Sequence, residues 1–488
     1  MKKSLQLKIS VLPLLTTCMF MGVAAREKQK PNLLFIFPDQ MRAQTMGFLG
    51  LEKVKTPVID QFAKESVYFS NAISNYPVCS PTRAMIMSGQ YPHHNKVVSN
   101  CTNLTARIGC QLPQPTRCWS DVLKEKGYSL GYIGKWHLDS PHEPFVNTSN
   151  NNGEVKWNEW CPPERRHGFD FWHAYGTYDQ HLRPMYWDTD DSREGFKYYD
   201  EWGPEHEANK AIDYINNKDG LFRNSGKPFA LVISMNPPHT GYNLVPQKYK
   251  DIYRDVEVGT LVDKPNIPPA GTKWGDHYRK NIKDYYACIS GVDEQFGRIL
   301  QALKAAGLAE NTIVVFTSDH GDCLGIHEEV TKNNWYEEAM RVPLLIRYPA
   351  KLKSHYDDIL LSTPDIYPTL LGLMGLASSI PKEVDGQNLA EYLISGKGEK
   401  PASQWYMRID NEKPDFGLRG IRNNRYTFVI NQEEGKDKIL MLYDRQYDPF
   451  QMKNIAAENP GIVRELTEEM RLWQIKNSDP WIKNMPKK

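Results

Sequence analysis

Pro31-Asn32-Leu33-Leu34-Phe35-Ile36-Phe37-Pro38-Asp39-Gln40 is the stretch from which the fold is read. Residues 33–37 are an unbroken apolar run, too short for an ordinary helix, and read as a strand buried on both faces. An acid and an amide follow at once at its carboxyl end. The same design recurs downstream. The strand predicted at 129–133 runs on to Lys135 and His137, that at 229–234 to His239, and that at 313–317 to Asp319 and His320. A further strand is expected at 342–348. Between them lie helical patterns at 56–69, opened by Thr56-Pro57, at 119–126, closed by Gly127, at 205–216, and at 284–306, closed by Gly307. This alternation predicts an α/β domain, a mostly parallel sheet with helices on both faces. Such sheets bind ligands beyond the carboxyl ends of their strands. Four strand ends therefore deliver polar side chains to one edge.

The rest of the chain narrows the function. Its 488 residues are 40% hydrophobic and 24% charged, which fits a folded globular protein and not a disordered one. The net charge of +1 supplies no global field for nucleic acid or acidic lipid, so an anionic ligand needs a local cluster. Lys2, Lys3 and Lys8, the apolar run 9–21 and the small residues Gly22, Ala24 and Ala25 read as a signal peptide over 1–25, cleaved after Ala25. The run is short for a transmembrane anchor. The expectation is an exported protein, periplasmic or secreted. Cys18 leaves with the signal. Cys101, Cys110, Cys118, Cys161, Cys288 and Cys323 are open either to disulfides or to life as buried thiols. Residues 26–390 read as the catalytic domain. Beyond them, hairpin strands at 427–430 and 439–442 around a charged turn, and a helix at 459–475, form a small C-terminal α+β subdomain, 391–488. Residues 143–192 are rich in Asn and Trp and irregular, the mark of a loop that is either functional or disordered.

Tyr76-Pro77-Val78-Cys79-Ser80-Pro81-Thr82-Arg83 is the sharpest chemical signal. Ser80 suits a helix cap, Pro81 its first position and Gly89 its end. Cys79 then sits at a helix N-terminus, where free N–H groups favour negative charge. Arg83, one turn on, aims its fork at the same spot. By itself this describes a nucleophilic, low-pKa cysteine. Such a thiolate is vulnerable to oxidation in an export compartment.

Cys79-Ser80-Pro81-Thr82-Arg83 resembles the Cys-x-Pro-x-Arg signature of the formylglycine-dependent sulfatases of the alkaline phosphatase superfamily. The resemblance implies that a maturating enzyme converts Cys79 to formylglycine (3-oxoalanine). The hydrated aldehyde offers two hydroxyls, one to attack sulfur and one to expel sulfate. Asp39-Gln40 and Ser318-Asp319-His320-Gly321-Asp322 resemble the family's metal site. They imply Asp39, Gln40, Asp319 and His320, with position 79, as ligands of Ca²⁺ or Mg²⁺. The sequence departs from the family here: Gln40 stands where a second Asp is frequent, and His320 where Asn is. Gly134-Lys135-Trp136-His137 implies Lys135 on the sulfate and His137 at the aldehyde hydrate. Asn236-Pro237-Pro238-His239 implies His239 as the acid that protonates the leaving oxygen. Lys332 resembles a second sulfate-binding lysine. Leu442-Tyr443-Asp444 resembles the tail of many bacterial sulfatases. The resemblance spans nearly the whole mature chain and implies the alkaline-phosphatase-like fold.

For substrate, Trp157, Trp160, Trp172, Tyr175, Tyr178, Tyr186 and Trp187 offer faces to sugar rings, and Asp179, His181, Arg183 and His327 are candidate substrate contacts. The chain resembles the sugar sulfatases of gut Bacteroidetes. That implies exo-acting O-desulfation of a sulfated glycan, of glycosaminoglycan or mucin type, with galactose or N-acetylgalactosamine as the sugar. Two alternatives stand beside it: a phosphonate monoester hydrolase or phosphodiesterase of the same superfamily, and a non-catalytic glycan-binding homologue.

Overall fold

In the computed structural model, which describes residues 29–329 and 331–484, the apolar run becomes strand β1 (Asn32–Ile36), buried throughout. Leu33 and Phe35 point into one core, Leu34 and Ile36 into another on the opposite face. A sheet covered on both sides requires that unbroken run. Nine more strands complete the sheet: β2 (Val67–Ile73), β3 (Ser129–Lys135), β4 (Phe171–Tyr175), β5 (Met185–Asp188), β6 (Lys197–Tyr198), β7 (Phe229–Ser234), β8 (Thr312–Thr317), β9 (Leu344–Arg347) and β10 (His355–Ser362). Their order is β10-β2-β9-β8-β1-β7-β3-β4-β5-β6. The predicted signal segment lies outside the described residues.

The centre, β8-β1-β7-β3-β4, is parallel as expected. The sheet as a whole is mixed. β9 runs antiparallel to both β8 and β2, and β5 and β6 continue the edge antiparallel. A parallel return needs a long crossover, commonly a helix. Between β8 and β9 the chain spends its length on site loops, with a 3-10 turn at Ile326–Glu328 and a short α-helix at Glu337–Met340. The predicted helix at 56–69 is also divided. Its helix ends at Ala63, and β2 begins at Val67. Val67-Tyr68-Phe69 is a β-branched and aromatic run that suits a pleated surface, and the sheet takes it.

The C-terminal sheet, β11 (Gln404–Ile409), β12 (Gly417–Arg422), β13 (Tyr426–Gln432) and β14 (Ile439–Asp444), is an antiparallel meander. With helix Pro460–Lys476 it encloses Trp405, Ile421, Phe428, Leu442, Leu466 and Met470. Tyr76, Val78 and Met85 enter the same cluster. The small sheet thus braces the Cys79 helix from behind. In the segment read as a sugar platform, Tyr175, Tyr178, Tyr186 and Trp187 pack with Val146 and Met185 into a closed cluster. These rings are core, because their apolar faces find each other before they find solvent. The seven described cysteines are buried free thiols. No helix among the described residues is long and apolar enough to cross a membrane.

Candidate active site

The helix carrying Cys79 spans Cys79–Ser88, two residues earlier than the capping reading placed it, with Val78 as the extended cap residue and Gly89 ending it at φ 66°. Ser80 does not cap. Its Oγ donates to the His137 carbonyl (2.7 Å) and accepts from Cys101 N (3.1 Å), which ties the helix start to the β3 loop. The Cys79 thiol is buried. Lys332 Nζ donates to its Sγ at 3.4 Å, and His320 Nε2 stands 3.3 Å away. Burial and Asp39 push this thiol up, but Lys332, Lys135 and His320 outweigh them and hold it well below its ordinary range.

Arg83 is the hub of the floor. Nε donates to Asp319 Oδ2 (3.1 Å), Nη2 to Asp39 Oδ2 (2.9 Å), and Nη1 to the Lys135 carbonyl and Ser234 Oγ (2.7 Å each). Lys135 Nζ meets Asp39 Oδ2 at 2.8 Å and donates to Asn236 Oδ1 at 3.0 Å. Asp39, Arg83, Lys135 and Asp319 are all essentially sealed from solvent. An unpaired charge is costly in such a place, and each of these is paired. Burial pushes Asp39 up, yet the cations Lys135, His239, Arg83 and Lys332 hold it well below the carboxylate range. Asp319 is pushed up, by burial and then by the like charge of Asp39.

The donors fit a divalent cation. One ligand atom each of Asp39, Cys79, Asp319 and His320 lies within 4.8 Å of the others. His320 Nδ1 sits 2.9 Å from the Gly321 carbonyl, so it is the protonated nitrogen. Nε2 then turns a lone pair on the carboxylates, 3.6 Å from Asp39 and 3.7 Å from Asp319. Two carboxylates and an imidazole lone pair facing one another repel unless a cation joins them. Gln40 fits as well. Its Nε2 donates to Asp322 Oδ2 (2.8 Å), which turns its Oε1 to the site, where Lys332 Nζ donates to it. Gln40 adopts the left-handed backbone (φ 70°), which swings the amide inward from β1.

Two histidines flank this floor. His137 Nε2 lies 3.2 Å from the Cys101 carbonyl and must donate to it. Its buried Nδ1 has no other partner and faces Cys79, whose side chain hydrogen-bonds the ring and acts on it electrostatically. Burial pushes this imidazole down, and Lys135 and Arg83 add to that. His239 follows β7. Its Nδ1 is 3.1 Å from Asp179 Oδ1. Burial, Lys135 and Lys332 pull His239 down, but Asp179 and Asp39 overcome them and raise it above the usual imidazole value.

The substrate-contact expectations fare differently. Asp179 is spent on His239, on Asn236 Nδ2 (3.1 Å) and on Asn150 Nδ2 (2.9 Å), so it orients the His239 ring. His181 is buried, pushed down to about 4 by burial, with Nε2 on the Thr240 carbonyl at 3.0 Å. It holds the loop behind His239. Arg183 is exposed and pairs with Asp200 at 2.9 Å. His327 stacks on Tyr336 at 3.6 Å and meets Glu338 at 3.4 Å, a loop contact. Sequence reasoning missed Ser234, Asn236 and Asp322 as functional. The first two stand at the carboxyl end of β7, the same position in the design that singled out the other strand ends.

Comparisons with known proteins identify the family of the chain. The family description Sulfatase matches residues 31–376, and that of the N-sulphoglucosamine sulphohydrolase C-terminal region matches 325–476. The fold and site thus define a hydrolase of sulfuric esters, and the chain belongs to the sulfatase family. It is similar to an endo-4-O-sulfatase of Bacteroides thetaiotaomicron, 38% identical, with 94% of each chain covered. The structure of a Bacteroides fragilis chain assigned as the sulfatase YidJ superposes with a TM-score of 0.91 at 50% identity, covering 96% of this chain and 100% of that one. A 4S-sulfatase structure from glycosaminoglycan metabolism in Bacteroides thetaiotaomicron gives 0.86 at 36% identity, covering 93% and 98%.

Proposed function

We propose that the protein is an exported enzyme that removes O-sulfate from a sulfated glycan of glycosaminoglycan type, using a formylglycine at position 79 and a divalent cation, Ca²⁺ or Mg²⁺. The observation that carries this reading is the convergence of Arg83, Lys135 and Lys332 on the buried position 79. A sulfate monoester has one negative charge spread over its terminal oxygens. Fixed cations in a dry site stabilise the extra charge of its transition state with no reorganisation. As a hydrated aldehyde, position 79 supplies two hydroxyls where a thiol or a single hydroxyl supplies one group. Lys332 and Lys135 bind and orient the sulfate, and Arg83 holds Asp39 and Asp319 in place. His239, kept protonated by Asp179, gives its proton to the leaving alkoxide. His137 Nδ1, unprotonated, takes a proton from the hydroxyl that remains at position 79. Asp39, Gln40, Asp319 and His320 would hold the cation, which would supply further positive charge beside the sulfate.

The names of the Bacteroides relatives support a sulfated amino-sugar polymer, and galactosamine O-4 sulfate is the first substrate to try. The endo in one name adds action within the chain to the exo action expected from the sequence. Export follows signal cleavage after Ala25. Mass spectrometry of the Cys79 peptide, from protein produced with a maturating enzyme, tests the mechanism. The expected mass is that of the aldehyde or its hydrate, together with sulfate release from the glycan. An unmodified thiol in fully active protein overturns it. Chelation is expected to abolish activity, and Ca²⁺ or Mg²⁺ to restore it.

A further inference from the structure

Two adjoining cavities, of about 710 and 470 Å³, lie along the C-terminal sheet and the loop that carries Lys332. Asn333, Arg408, Leu418 and Asn431 line both, so they form one trench. Lys332 lines the smaller, so the trench begins at the lysine whose Nζ is 3.4 Å from Cys79 Sγ. Each cavity falls in the range of roughly 300–1,000 Å³ that takes a whole small ligand. The trench is therefore larger than one sulfated sugar needs.

The charges along it are settled locally, except for those of Arg408 and Glu329. Arg107 pairs with Glu412, and Lys413 with Glu434. Glu433 is held by Lys436 and Asn431, and Asp410 accepts from the backbone N–H groups of Glu412 and Lys413. Arg408 is exposed on β11, and its guanidinium forms no hydrogen bond or ion pair among the described residues. Glu329 feels its charge without pairing to it. A second polar group is also left over. Asn333 stands in left-handed backbone (φ 73°), and its buried Oδ1 has no partner. Beside them Ile439, 56% exposed, gives the smaller cavity an apolar wall suited to one face of a pyranose. A free cation and an apolar face together match an acidic sugar: its carboxylate or sulfate, and its ring C–H face.

We infer that this trench binds the sugar units adjoining the one being desulfated in a polyanionic glycan. Arg408 takes the carboxylate or sulfate of the neighbouring unit. The inference rests on the glycan-sulfatase reading. It adds that a free sulfated monosaccharide is a poor substrate and that recognition runs along the chain on the C-terminal side of Lys332.

The test uses the matured enzyme and size-defined chondroitin 4-sulfate oligosaccharides beside the sulfated monosaccharide, with sulfate release as the readout. From monosaccharide to tetrasaccharide, kcat/KM is expected to rise about tenfold or more, mainly through KM, each factor of ten being about 1.4 kcal/mol. Arg408→Ala is expected to bring that ratio close to one, and Arg408→Lys to restore part of it. Ile439→Glu, at an exposed position that folding tolerates, is expected to raise KM for the tetrasaccharide by like-charge repulsion. Equal kcat/KM at every chain length overturns the trench, as does a ratio unmoved by both Arg408→Ala and Ile439→Glu. Failure of the glycan reading looks different: no sulfate leaves any sugar, while 4-nitrophenyl sulfate is still hydrolysed. Melting curves separate an unfolded variant from an inactive subsite.

Discussion

The sulfate floor and the leaving-group side of the site are built in opposite ways. On the floor, Asp39, Arg83, Lys135 and Asp319 come from the ends of packed strands or from the helix beside them, and each charge is buried with partners within 3.1 Å. On the leaving-group side, His239, Asp179, His181 and Arg183 come from loops, and their exposure ranges from sealed to open. The floor must hold one invariant group, the sulfate. The other side must admit a sugar and let it leave. If this division is right, substitutions on the floor damage chemistry and folding together, and those on the loops change pH dependence or very little.

The largest effect belongs to position 79. Cys79→Ala removes the nucleophile, and a loss of about 10⁴-fold or more in kcat is expected, as for removal of the nucleophile in other hydrolases. The melting temperature should stay near that of the parent, because the thiol is small and carries no other element. A variant keeping a few per cent of the parent kcat breaks the comparison at its root. Arg83→Ala comes next and acts on both properties. It strands Asp39 and Asp319 in the interior, which costs about 3–5 kcal/mol by the precedent of broken buried pairs. Arg83→Lys should recover little, since one ammonium cannot serve four acceptors in a fixed fork. Urea unfolding of both variants measures this. Lys135→Ala is expected to lower kcat about 10²–10³-fold, the usual loss when one preorganised donor to a developing charge is removed. It should also raise Asp39 toward the ordinary carboxylate range, because Lys135 is the strongest of the cations that hold it down.

The same division governs how much of the molecule the sequence discloses. The floor was legible, because a buried strand running out into Asp or Lys is a local pattern, and β1, β3 and β8 each display it. β2 was lost in a helix because 58, 59, 62, 67, 68 and 69 satisfy either period, and only the sheet chooses between them. The loops misled for a different reason. Asp179, His181 and Arg183 alternate like a row of substrate contacts, yet their partners, His239, Thr240 and Asp200, are fixed by tertiary contacts that no local spacing encodes. The aromatic residues of 157–187 announced a surface and made a core. Asp322 was quoted with its motif, but its task became visible only when Gln40 was seen to need an anchor for its amide.

On the leaving-group side, the proposed mechanism uses His239 in its protonated form. Its pKa is raised, chiefly against burial and by Asp179 and Asp39, so the acid form persists above the usual imidazole range and is lost as pH climbs through the raised value. Turnover of a sugar sulfate should therefore fall on the alkaline side. His239→Ala is expected to cost about 10²-fold or more on sugar esters, within the range of general acid catalysis, and far less on 4-nitrophenyl sulfate, whose phenolate leaves unaided. Asp179→Asn removes the nearer carboxylate that raises His239. The alkaline limb of the sugar-sulfate profile should then move to lower pH, with the phenyl ester profile unmoved. An unshifted limb assigns the proton to another group.

The smallest effect sharpens the comparison most cheaply. Arg183 is the one member of the row that stays in solvent, with its guanidinium on Asp200 and over the Tyr198 ring at 4.9 Å. An exposed pair of this kind contributes about 0–1 kcal/mol, and salt screens it further. Arg183→Ala is therefore expected to change kcat/KM on any glycan by less than about twofold and stability by less than about 0.5 kcal/mol, as surface substitutions usually do. A tenfold rise in KM for the tetrasaccharide alone would instead place a second anion contact on this side, opposite Arg408. The glycan would then be gripped on both flanks of the sulfate, and the loops would share the floor's fixed geometry.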